Sequence, residues 1–392
     1  MDERASVATS ARRALRLLAC LPCLFFTPQV RAEPSPLARE LASRCRAWAS
    51  DARAPWALAH GMALDGREFR AADGRLAAEV VVADFLRQAP AREQTAASRA
   101  DVYFDSFTSD GTPVEPHPAL QVKTLLASGL PLSQRFKTDW GEVTLRELVE
   151  DVKRDFRMAQ VESGESAWML EALSLSSRPG DSFRDSTGQR VRVDEVMTRA
   201  LTALETANAE LAEGMKAKRP EVPKRGQGIY AHPCGGLHYF QAVAGWARHA
   251  SVRAAWRRRL AAQVDVLLYR LDSETRQYET AWASAPAERE RVLAQMLKFQ
   301  GHLLETLGRL REDTGWRPTP AQQQTVERAR RYLENTVRRM DQTGLLAAPA
   351  SVAGRDKQLA LDLVGDTCHA ARGESFWSPR ELTRPAAPSP PR

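Results

Sequence analysis

The chain has 392 residues, of which 43% are hydrophobic and 27% charged, with a formal net charge of +7. Five arginines against two acidic residues in the first 32 positions account for +3 of this, so the remainder carries only +4. A field that weak argues against nucleic acid as a partner, and no segment is long and apolar enough to cross a membrane.

At the N-terminus, Arg12, Arg13 and Arg16 precede the apolar "LLACLPCLFF" (Leu17 to Phe26), and "VRA" ends at Ala32. A positive start, a short apolar stretch and small residues before a cut make a secretory signal peptide, predicted over 1–32. The apolar run is about half of the ~20 residues a spanning helix needs, and Pro22 interrupts it. Lipid attachment at Cys20 is the alternative, at the cost of a very short apolar stretch. The mature chain is therefore expected in the periplasm or outside the cell, with no transmembrane segment. Removal of the signal leaves Cys45, Cys234 and Cys368. Three cysteines in an oxidising compartment suggest one disulfide and one free thiol. Cys45 and Cys368 lie near the two ends of the folded region and would close it, leaving Cys234. Three buried reduced cysteines are the other reading.

An internal repeat follows. Phe69, Phe136 and Phe183 each stand five residues before a glycine, in "FRAADG", "FKTDWG" and "FRDSTG". Each is preceded by a small-residue-rich apolar segment ("PWALAHGMAL", "LQVKTLLASGLPL", "SAWMLEALSLSS") and followed by an amphipathic one. The spacings are 67 and 47 residues, the longer one accommodating an insertion over about 88–114. Two helices per unit at such a period mark an α/α repeat array. An apolar helix is buried on all sides and an amphipathic one covers it. An inner ring inside an outer ring, an all-α toroid over 33–377, is the predicted architecture. The Phe-x4-Gly pieces become short turns or β-hairpins with glycine at positive φ.

Further on, "GGLHYFQAVAGWARHA" and "LKFQGHLLETLGRLRE" read as inner helices. "SVRAAWRRRLAAQVDVLLYRL" and "TPAQQQTVERARRYLENTV" read as their outer partners. Thr319 can cap the last, with Pro320 at its first position. The Asp-Gly-rich inter-helix loops usual in toroids are hardly recognisable near "LDSETRQYETAW", and 378–392 is a tail too rich in proline to pack. Arginines in 253–262 and 328–340 alternate with apolar residues at helical spacing, which makes them solvated helix faces.

Aligning the inner helices stacks polar residues in apolar surroundings: Lys123, Glu171, Gln241 and Glu305 at one level, His238 and His302 one turn earlier. His60 and His117 also open inner segments, so four of the seven histidines are expected around one space. The elements "PWALAHG", "HPALQVKTLLASGLPL", "HPCGGLH" and "GHLLETL" together resemble a family of exported, largely uncharacterised bacterial α/α-toroid proteins with a Pro-Cys-Gly-Gly-x-His signature. The resemblance spans roughly Pro55 to Val337. It implies the fold and this choice of residues and supplies no reaction.

On a helix, Cys234 and His238 are i and i+4, a spacing that lets both hold one metal ion. His60, His117, His232 or His302 can complete a tetrahedral zinc site. A thiol at a helix start is equally a nucleophile with His238 as base, and Gly235 and Gly236 can present N–H groups to an oxyanion. Glu171 and Glu305 suggest a carboxylate pair of the kind glycan-processing enzymes use. Two functions remain open. One is an exported hydrolase or lyase acting in a central cavity on a small molecule, a glycan or a peptide. The other is a non-catalytic helical binding or scaffold protein of the cell envelope.

Overall fold

In the computed structural model, residues 34–89, 102–223, 228–230, 235–347 and 349–377 are described. The predicted signal peptide and Pro-rich tail lie outside them. The protein is all-α apart from a few short strands. After α1 (Pro36–Ala49), three helix pairs follow: α2 (Pro55–Asp65) with α3 (Ala77–Phe85), α4 (Leu120–Ala127) with α5 (Leu145–Asp155), and α6 (Ala167–Ser176) with α7 (Val193–Ala207). The short α8 (Ala209–Lys216) leads to α9 (Gly235–Trp246), α10 (Ala250–Ser284), α11 (Arg289–Thr314) and α12 (Pro320–Gln342). A short α13 (Pro349–Ala353) precedes α14 (Lys357–Ser375).

Burial separates the helices into two kinds, for the reason their sequences suggest. On α5 the buried positions are Leu145, Leu148, Val149 and Val152, and on α7 the same three-and-four spacing runs from Val193 to Leu204. These are helices with one covered face. By contrast α6 is buried without a break from Ala167 to Ser174, and α11 from Met296 to Leu310. The continuously buried helices pack in order: α2 on α4, α4 on α6, α6 on α9, α9 on α11, α11 on α14, and α14 back on α2. Polar groups on their mutual faces are thereby forced to find partners in the centre.

The linking pieces follow the repeat. β3 (Arg135–Thr138) pairs with β4 (Gly141–Thr144), setting Phe136 opposite Val143. β5 (Ser182–Arg184) pairs with β6 (Arg190–Arg192), setting Phe183 opposite Val191, and the first copy keeps a single bridge between Arg70 and Leu76. A further strand pair, β1 (Leu86–Gln88) with β2 (Val102–Phe104), reaches into the insertion. Gly74, Gly141 and Gly188 all have positive φ, where a Cβ would be strained. At its N-terminus α12 has Thr319 capping and Pro320 in the first turn, with Gln322 completing a capping box.

No inter-helix loop occurs near "LDSETRQYETAW": α10 continues through it for 35 residues, because nothing between Ala250 and Ser284 is Gly or Pro. The cycle is completed by α14, which the repeat comparison did not include because it lies beyond the last recognisable copy. A disulfide between Cys45 and Cys368 (Cα–Cα 4.9 Å) joins α14 to α1. α14 also approaches α11 at backbone distance. A Cβ on Gly301 would lie 2.8 Å from Cα of Ala370, and one on Gly373 would lie 2.6 Å from the Gly301 carbonyl oxygen. That contact brings the side chains beside it, His302 and His369, together with their rings tilted by 34°.

Candidate metal centre

Three helices of the cycle each bring one imidazole to its centre: His238 from the first turn of α9, His302 from the middle of α11, and His369 from α14. Each can offer a ring nitrogen, and these atoms lie within 4.8 Å of one another. The ring centroids are 3.8 Å apart for His302 and His369, 5.1 Å for His238 and His302, and 5.3 Å for His238 and His369. His60 on α2 meets His369 edge-on at 5.1 Å. All three central histidines are buried.

Their orientation is set from behind. His369 Nδ1 lies 2.6 Å from Glu305 Oε2. His302 Nδ1 donates to the Lys298 carbonyl at 2.7 Å, and His60 Nδ1 to the Trp56 carbonyl at 2.8 Å. His238 Nδ1 lies 3.3 Å from Gln241 Oε1. A carbonyl or carboxylate acceptor keeps the proton on Nδ1, which leaves Nε2 as the ligand nitrogen. This outer-shell anchoring is characteristic of metal-binding histidines. Burial, reinforced by the charge of neighbouring His369, lowers the pKa of His60 to about 3. Burial also holds His238 and His302 well below the ordinary histidine range, helped by Lys123 and His302 at the first and by His369 at the second. A neutral imidazole is the form that binds metal.

The histidines line a cavity of about 200 Å³. Its aromatic wall includes Trp56, Phe107 and Trp168, with His117 stacked on Trp168 at 3.9 Å and held by Glu165. Lys123 reaches it from α4. Burial lowers the pKa of this ammonium and Glu171, 3.8 Å away, raises it. On the opposite flank Asp366 stands 4.0 Å from His302, and Lys298 lies 3.1 Å from Asp362 and 3.8 Å from Asp366. Asp366 Oδ2 is buried without a hydrogen-bond partner, and burial raises the pKa of this carboxyl well above its usual range, against the charge of Lys298.

One turn deeper lies a paired layer. Glu171 accepts from Arg309 at 2.5 Å, Glu305 from Arg372 at 2.9 Å, and Gln241 bridges Arg309 and Thr306. Burial works against the charge on Glu305, but His369 and Arg372 hold the carboxyl well below its usual range.

The cavity thus gathers His60, His117, Lys123, His238 and His302 from the sequence-predicted set. Glu171 and Glu305 are not among its lining residues. Their ion pairs occupy them, so they do not face each other across it as an acid–base pair. Gln241 orients His238 and Arg309 and is not a lining residue either. Gly236 packs against Tyr230, whose ring would be 2.9 Å from a Cβ there. This explains the glycine by close packing. Cys234 and His232 lie outside the described residues, as do the surroundings of Gly235. His369, Asp366 and Lys298 were not anticipated. The available signal was "DTCHAARG", where Cys368 had already been singled out beside His369 and small residues mark a close helix contact.

Compared with known proteins, the chain matches no family model, no curated protein and no solved structure. Chemistry at the site must therefore carry the functional reading.

Proposed function

We propose that this chain is an exported α/α-toroid enzyme that holds a divalent metal ion, zinc by preference, on His238, His302 and His369 and hydrolyses a bond in a glycan or peptide. The observation that carries the reading is the convergence of three buried imidazoles on one cavity, each anchored at Nδ1. The closed packing order of the six buried helices supports the toroid, and the signal-like N-terminus supports export. Membership of the family with the Pro-Cys-Gly-Gly-x-His signature belongs to the same proposal.

His238, His302 and His369 would hold the ion, and a bound zinc would supply a water activated for attack near neutral pH and polarise a carbonyl oxygen. Asp366, whose Oδ1 lies 4.0 Å from His302 Nδ1 and whose Oδ2 makes no hydrogen bond among the described residues, would take the proton of an attacking water and return it to the leaving group as the bond to it breaks. Glu305 fixes the His369 ring and is a positioning residue. Trp56 and Trp168 provide flat apolar surface for the body of a sugar ring or a side chain.

Elemental analysis of the purified full chain tests the reading. About one equivalent of zinc per chain should survive dialysis, and His302→Ala and His369→Ala should each retain almost none, because removing even an outer-shell partner typically costs about 10–100-fold in affinity. A folded wild-type chain that takes up no zinc, copper or cobalt would favour the helical binding or scaffold protein instead.

A further inference from the structure

Next to the histidines, Glu171 and Glu305 meet Lys123, Arg309 and Arg372, with Asp313 also acting on Arg309. Arg309 and Arg372 make the close contacts with those carboxylates, at 2.5 and 2.9 Å. Lys123 is left with Glu171 at 3.8 Å, beyond hydrogen-bond reach, and among the described residues its ammonium donates no hydrogen bond. It is 5% exposed, and it lines the cavity. A buried ammonium with three donors unused carries a large desolvation cost that an incoming acceptor would offset. Also on the cavity lining, Lys298 pairs with Asp362 and Asp366.

We propose that Lys123 is the anchor for a carboxylate group of the substrate, seated between its ammonium and the metal position. This rests on the metal reading above. The pocket recognises a single carboxylate in preference to a phosphate for two reasons. Among the described residues, the lining cation that donates no hydrogen bond is Lys123, a point charge, while the arginine forks that suit phosphate are committed to Glu171 and Glu305. At about 200 Å³ the space is below the range of drug-sized sites. It therefore takes one terminal residue of a chain, such as an acidic sugar or a peptide C-terminus, with the scissile bond over the histidines and Asp366 beyond it.

The test uses the full chain loaded with cobalt(II), whose visible band reports ligands entering the metal site. Sodium acetate is titrated against the wild type, Lys123→Met and Lys123→Arg, with acetamide as the neutral control and phosphate as the competing anion. Acetate should shift the wild-type band saturably and acetamide should not. Lys123→Met should weaken acetate by about tenfold or more, as loss of a charge-assisted hydrogen bond does, and Lys123→Arg should recover part of it. The same proteins without metal are melted in acetate against chloride at matched ionic strength. Acetate should raise the wild-type Tm, as any ligand of the native state does, and leave Lys123→Met unmoved. An unchanged acetate titration in a folded Lys123→Met overturns the anchor, and phosphate binding tighter than acetate with the same dependence on Lys123 overturns the carboxylate. Absence of cobalt uptake with a Lys123-dependent acetate shift in Tm overturns the metal reading and leaves the anchor standing.

Discussion

Along α11, buried imidazoles and buried ion pairs lie one turn apart and meet the cost of burial in opposite ways. At Glu305 and Arg309 the groups are charged, and each is matched by a partner of opposite sign from another helix. At His302 and the neighbouring His238, and at His60, which meets His369, burial disfavours the charged ring, and the hydrogen bonds these rings make among the described residues run through Nδ1. Apart from Glu171 Oε2, which is buried without a hydrogen bond among the described residues, the carboxylate oxygens of this layer are taken up by partners on other helices, so the deeper layer links the helices. The ring nitrogens that His238, His302 and His369 can offer lie within 4.8 Å of one another, an arrangement suited to holding a ligand. The difference assigns support to one layer and chemistry to the other.

The comparison is broken most severely by Glu171→Gln, which strands Arg309 in the interior. Removing one partner of a buried pair costs about 3–5 kcal/mol, read as a fall in the urea midpoint with little change in slope. If the loss stays below about 1 kcal/mol, the range of an exposed pair, the deeper layer is not structural. The disulfide should matter next. Replacing Cys45 and Cys368 by serine should cost about 2–4 kcal/mol under oxidising conditions. A smaller loss would mean that α14 is held by its packing on α11 alone.

The smallest effect at neutral pH sharpens the imidazole layer. His60 has a folded pKa of about 3, below its unfolded value. Its neutral form therefore adds nothing to the pH dependence above about pH 6.5, and stability is lost as pH falls from there toward 3. Near pH 5 the loss attributable to this ring approaches about 1.4 kcal/mol per pH unit. His60→Asn should flatten the acid limb of a stability–pH curve accordingly. The His60 ring resonances in a proton NMR titration should stay in the neutral position below pH 5, and a midpoint near 6.5 would contradict the burial described here.

Much of the helical pattern was legible along the chain because burial and period are local properties. The three-and-four spacing of α5 and α7, the unbroken apolar α6, the cap at Thr319 and the repeated glycines all depend on neighbours a few residues away. His238 and His302 could be aligned for the same reason, each opening an equivalent turn. His369 could not: its helix matches no repeat copy, and its role comes from Glu305, 64 residues earlier. The carboxylates misled for a related reason. Sequence alignment put Glu171 and Glu305 at one level but could not see Arg309 and Arg372 arriving to neutralise them.

What the sequence by itself determined is which stretches are helical, which of them must be buried on every side, and that polar residues recur at fixed heights within them. Those follow from hydrophobic periodicity and backbone capping, which act over one or two turns. Only the tertiary structure decided which polar groups are paired and which are left open. Glycines at 301 and 373 let α11 and α14 touch, and that contact sets His369 beside His302 while it gives Glu305 both of its partners. Charge and lone-pair compensation is a matter of distances between separate helices, and those distances exist only once the cycle closes.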